Sequence, residues 1–152
     1  EKMAENCCCK GPARLLFPCA GGSDVGELTD RVARKLTKDG WGKIYCLAGV
    51  AAHIENFLEN TKAAEEVVAI DGCPASCASK ALAHTGYQPI SISLKELGFM
   101  KGKSPASEEN INKICELIKK QDTVQKCDSD QQGPQQINNS CCSCDTENKN
   151  KE

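Results

Sequence analysis

Glu66-Val67-Val68-Ala69-Ile70-Asp71-Gly72-Cys73-Pro74 is the stretch on which the fold turns. Val67 to Ile70 is apolar without alternation, as in a strand covered on both faces, and such strands belong to parallel sheets. Asp71 and Gly72 close the run with turn residues, and Pro74 suits the first turn of a helix. The unit is therefore strand, loop, helix, with a cysteine in the loop.

The same unit recurs on both sides. Upstream, Lys43-Ile44-Tyr45-Cys46-Leu47 reads as a strand, followed by one helix with Val50, Ile54, Phe57, Leu58 and Thr61 on a single stripe. Further upstream, Arg14-Leu15-Leu16-Phe17 is a short apolar run that stops at Pro18-Cys19, and Gly21, Gly22 and Ser23 make a turn. Asp24, with Glu27 three residues later, caps the next helix. Leu28, Val32 and Leu36 share one face of it, and Gly40 ends it.

Downstream, Cys77, Ala78, Ala81 and Leu82 fall on the inner face of a third helix. Pro89 to Leu94 alternates with period two, as a strand with one more polar face does. A last helix starts near Ser107 and turns Ile111, Ile114, Cys115 and Ile118 inward. The order β-α-β-α-β-α-β-α predicts a three-layer, Rossmann-like α/β domain around a four-stranded, mostly parallel sheet.

That domain occupies 13–120 of the 152 residues. Residues 1–12 are polar and carry Cys7, Cys8 and Cys9. Residues 121–152 are rich in Gln, Asn, Asp, Ser and Lys, with Val124 and Ile137 as the sizeable aliphatics. Segments of this kind bury too little surface to offset their ordering entropy, so both ends are expected to be disordered, cysteine-containing tails.

Lysine and arginine total 19 against 21 acidic residues, a net charge of -2, with no cation cluster that would read as a nucleic-acid surface. No apolar run approaches the ~18 residues that cross a bilayer. The first twelve residues lack the basic-then-apolar pattern of a signal peptide. The expected partner is a metal ion, with neither nucleic acid nor membrane, and the expected location is cytoplasmic.

Twelve cysteines in so short a chain need a reason. Clear helix–strand alternation argues against a loop-rich disulfide scaffold and for thiolate or metal chemistry. Right-handed crossovers place every strand-to-helix loop at one edge of a parallel sheet. Cys19 ends strand one, Cys46 strand two and Cys73 strand three, and Cys77 follows Cys73 by one helical turn. Adjacent strands lie ~4.8 Å apart, so with strand one between two and three the four sulfurs can meet above it, at the switch point where such sheets bind ligands. Four thiolates at ~2.3 Å from one centre are the closed site of structural zinc, with no position left for an activated water. The helix start near Pro74 would help to stabilise the thiolates.

Pro18-Cys19-Ala20-Gly21-Gly22-Ser23-Asp24-Val25-Gly26, Cys46-Leu47-Ala48-Gly49 and Asp71-Gly72-Cys73-Pro74-x-x-Cys77 together resemble the DGC-domain family of zinc-binding proteins, over about residues 14–118. The resemblance implies a Zn2+ ion held by Cys19, Cys46, Cys73 and Cys77. It implies no particular activity.

Other groups read less sharply. Gly21, Gly22 and Gly26 fit neither nucleotide-binding spacing and serve a tight turn instead. Ser23 and Asp24 read as caps, and Asp71 as turn chemistry. His53 and His84 lack ligand spacing to the cysteines and read as surface residues, and Cys115 reads as core. Cys73-x-x-x-Cys77 places two thiols at i and i+4, which suits a shared metal better than a disulfide. Seven of the twelve cysteines lie outside the domain, at Cys7–Cys9, Cys127 and Cys141, Cys142 and Cys144, and such thiols bind soft ions. The expectation is a zinc-binding protein in metal or thiophilic-ion homeostasis, arsenite for example, rather than an enzyme. The alternatives are a thiol redox enzyme or persulfide carrier using Cys73 and Cys77, and an iron–sulfur protein.

Overall fold

The computed structural model describes residues 14–129. Four parallel strands form one sheet in the order β2-β1-β3-β4: β1 Arg14–Pro18, β2 Lys43–Ile44, β3 Glu66–Asp71 and β4 Ile90–Ser93. Between and after them run α1 Asp24–Lys38, α2 Leu47–Ala51, α3 Glu55–Lys62, α4 Cys77–His84 and α5 Glu108–Ser129. The α/β alternation is as expected, and β1 does lie between β2 and β3.

Strand periodicity sorts the core onto two faces. Leu16, Val68 and Ile70 pack with Leu28, Val32 and Leu36 of α1 and with Ile111, Ile114, Cys115 and Ile118 of α5. Leu15, Phe17 and Ala69 point the other way, onto Val50 of α2 and Ala78 and Leu82 of α4. The sheet is thus covered on both faces, which is why its central strands carry no polar alternation.

Local expectations shift in four places. Ser23, not Asp24, caps α1 by accepting the Gly26 amide (3.3 Å). The Asp24 carboxylate instead accepts amides of Gly102 (2.8 Å) and Ser104 (3.3 Å), and the Gly102 bond above all holds it below the usual carboxylate range. The single helix expected after β2 is two helices broken at His53, whose φ is 56°. In one straight helix Gly49 and Phe57 would stand about 12 Å apart along the axis. Here a Cβ added to Gly49 would lie 2.7 Å from the Phe57 ring, so the chain has doubled back to stack that ring on glycine backbone. Ile54 is left 48% exposed rather than on the buried stripe.

Third, the helix after β3 begins at Cys77, not at Pro74. Ser76 takes a left-handed conformation (φ 50°, ψ 50°) and divides Cys73-Pro74-Ala75 from the helix. Fourth, α5 continues through residues 121–129, where composition had placed the start of a tail. Asp122 in that stretch accepts from Arg14 (2.9 and 3.1 Å) and from the Trp41 indole (3.2 Å). Arg14 also pairs with Glu66 and stacks 4.0 Å over the Trp41 ring. Cys127 falls on α5, while the clusters at Cys7–Cys9 and at Cys141, Cys142 and Cys144 lie outside the described residues. Among the described residues no helix is long and apolar enough to cross a membrane.

Candidate metal centre

The carboxyl edge of the sheet collects four of the five cysteines that lie between residues 14 and 118. Cys19 directly follows β1, and its amide donates to the Ile70 carbonyl (3.0 Å), so it stays bound to the end of β3. Thr29, fully buried on α1, donates to the Gly26 carbonyl (2.7 Å) and accepts from the Ala20 amide (3.2 Å). Its hydroxyl proton is thereby used, so the Cys19 thiol, 3.4 Å away, is the donor in their contact. The sequence held a signal for Thr29: it is the polar member of an otherwise apolar helical face.

Cys46 stands two residues past β2 and is the N-cap of α2, where its sulfur accepts the Gly49 amide (3.4 Å). Cys19 and Cys46 line one open groove of about 700 Å³, walled by Tyr45, Leu47 and Phe57 with Arg34 at its rim. Cys73 packs instead toward the α1–α5 side. It lines a separate groove of about 270 Å³ with Pro74, Lys95, Phe99 and Met100. Cys77 is exposed.

Because α4 starts at Cys77, Cys73 and Cys77 do not share a helical face, which corrects the i, i+4 reading. The helix amides expected to favour thiolates are also occupied. Asp71, 1% exposed, accepts the Ala78 amide (2.8 Å), the Ser79 amide (3.0 Å) and the Ser79 hydroxyl (2.6 Å). Asp71 therefore caps α4 from the end of β3, rather than serving as local turn chemistry. Gly72 brings the chain against α1, since a Cβ there would lie 2.6 Å from the Val25 carbonyl oxygen. Gly26 is as tight, at 2.2 Å from the Gly21 carbonyl oxygen, so the loop after Cys19 rests directly on the first turn of α1.

Asp-Gly-Cys is in this way a small structural unit. The aspartate starts the next helix, the glycine seats the turn on α1, and the cysteine is left at the edge. Residues 15–118 match the profile of the DGC domain, which takes its name from that tripeptide. The chain belongs to the DGC family. A relative is the anaerobic and virulence modulator AnvM of Pseudomonas aeruginosa, 29% identical over 91 residues, spanning 59% of this chain and 70% of AnvM. No solved structure matches the chain.

The donor set of this DGC domain suits a soft ion in chemistry, since four free thiols lie at one sheet edge. Among the described residues no three cysteine, histidine, aspartate or glutamate side chains stand together as ligands of one ion. Cys19 and Cys46 share one groove, Cys73 lines another, and Cys77 is exposed outside both. Cys115 is the contrasting thiol: 2% exposed among the core side chains, it is pushed up to about 11 by burial.

Proposed function

We propose that the carboxyl edge of this DGC domain binds one zinc ion through Cys19, Cys46, Cys73 and Cys77, in the service of metal or thiophilic-ion homeostasis. The observation that carries this reading is the strand order. With β1 between β2 and β3, the three strand ends that carry these cysteines are neighbours, and that of Cys19 is the central one. The strand order switches sides at β1, with β2 on one flank and β3 on the other, and the crevice at such a switch point is where open α/β sheets bind ligands.

One ion shared by all four thiols requires the loops 19–23 and 72–77 to close. Both contain a non-glycine residue in the left-handed region, Ala20 (φ 43°) and Ser76 (φ 50°), a conformation that surrounding structure must hold in place. Loops of this kind can exchange one arrangement for another, and the thiophilic ion supplies the reason to do so. The name of the Pseudomonas relative describes a modulator, which fits a metal-sensing or metal-buffering protein better than a metabolic enzyme.

A thiol-exchange role has one observation in its favour, the separate groove of Cys73 beside Lys95 and Lys101. In that reading the Cys73 thiolate attacks a partner disulfide, one new S–S bond forms, and the partner's second sulfur leaves as a thiolate. Elemental analysis of protein purified without added metal separates the readings. About one zinc per chain is expected, lost in the Cys19→Ser/Cys46→Ser double variant. A well-folded wild type without metal would overturn the zinc reading and leave free thiols for exchange. A brown preparation containing iron and sulfide would instead indicate a cluster.

A further inference from the structure

The chain contains two histidines, thirty-one positions apart, and the fold brings both to one place. His53, in the break between α2 and α3, and His84, the last residue of α4, line the same pocket of about 280 Å³ with Ala51, Ala81 and Thr85. Helices α2 and α4 pack side by side on the same face of the sheet and bring the two residues together. This pocket is distinct from both cysteine grooves and shares no residue with them.

Three features suit it to a cation. Both imidazoles are exposed, and neither has a hydrogen-bond or ion-pair partner among the described residues, so their ring nitrogens are available as donors. The pocket lies at the carboxyl ends of α2 and α4, where the aligned peptide dipoles carry partial negative charge. His53 is also held at a φ of 56°, a region that non-glycine residues seldom enter. That conformation lets the chain turn from α2 into α3 while keeping this side chain over the pocket.

We propose that His53 and His84 form a second metal site, a two-imidazole site for a borderline divalent ion such as Zn2+ or Ni2+, with water completing the coordination. Imidazole is the ligand these ions prefer outside thiolate sites. Two imidazole ligands would give weaker, more readily exchanged binding than four thiolates. The proposal does not depend on the cysteine centre.

Its test uses the full chain with 13C-labelled histidine, in which two imidazole ring signals report this site whatever the thiols do. Zn2+ alone is titrated past the capacity of the cysteines. Both ring signals are expected to move together, at one concentration. In His53→Asn or His84→Gln, the remaining ring is expected to respond only at roughly 100-fold higher zinc, because losing one ligand removes the effective concentration that chelation supplies. Asparagine is chosen at 53 because it tolerates the left-handed conformation. Should H53N fail to fold, H84Q within α4 supplies the same comparison. Two rings that respond at different concentrations, or a remaining ring that responds at the wild-type concentration, would overturn the site. So would rings that never respond.

Discussion

Asp71 has the most consequential environment of any single side chain near the centre. Its buried carboxylate accepts three hydrogen bonds, two of them from the first amides of α4. Bonds to a charged acceptor contribute about 1.5–3 kcal/mol each before desolvation is counted. Asp71→Ala should therefore lower unfolding free energy by about 3 kcal/mol in urea titration, and Asp71→Asn by less, since one acceptor oxygen remains. A change within about 0.5 kcal/mol, the scale of ordinary surface substitutions, would mean that α4 starts without Asp71. Cys115 makes a prediction in pH. Its thiol is pushed from 9.0 to about 11 in the folded chain, so between those values the unfolded state has released a proton that the native state still holds. Stability is then fully present below pH 9 and falls as pH rises toward 11. Urea midpoints compared below and within that window should drop more for the wild type than for Cys115→Ala. Equal drops would place the thiol in a more polar setting than its burial implies.

At the scale of elements, two glycine contacts hold α1 to the cysteine loops. Alanine would ordinarily favour a helix over glycine, by roughly 1 kcal/mol at an interior position. At Gly26 the added carbon would stand 2.2 Å from the Gly21 carbonyl oxygen, a contact with backbone that no side-chain rotation relieves. Gly26→Ala should therefore destabilise the domain by about 1–3 kcal/mol despite the propensity gain. It should also weaken zinc binding by displacing the loop after Cys19, measured by competition with a colorimetric chelator. A stabilised variant with unchanged zinc affinity would mean that this loop is free to lift from α1. The break between α2 and α3 belongs to the same scale. Apolar spacing alone could not show it, because Phe57 reaches Gly49 through a turn and not along a helix axis.

At the scale of the whole molecule, Arg14, Trp41, Glu66 and Asp122 tie the start of β1, the approach to β2, the start of β3 and the second half of α5 into one cluster, at the sheet edge opposite the cysteines. Arg14 is 9% exposed, and its bonds to Asp122 and Glu66 outweigh the burial that would otherwise lower its pKa. Asp122→Ala should cost about 1–3 kcal/mol in thermal or urea unfolding, since it withdraws two hydrogen bonds from a buried guanidinium, while leaving the metal content at the far edge unchanged. Loss of zinc in that variant would show the two edges to be coupled. Much of this architecture was legible in the chain. Unbroken apolar strands at Leu15–Phe17 and Val67–Ile70, helices patterned as Leu28-Val32-Leu36 and Ile111-Ile114-Ile118, and cysteines at strand ends determine a parallel α/β sheet with thiols at one edge, because periodicity and burial are local properties of sequence. Only the tertiary structure decided that Asp71 takes the α4 amides and that Asp24 reaches Gly102. It also placed Asp122 on Arg14, set Cys73 in a different groove from Cys19 and Cys46, and brought His53 and His84 to one pocket. Each of these depends on where a side chain meets a distant backbone or ring, and such meetings are set by packing between elements that no spacing along the chain encodes.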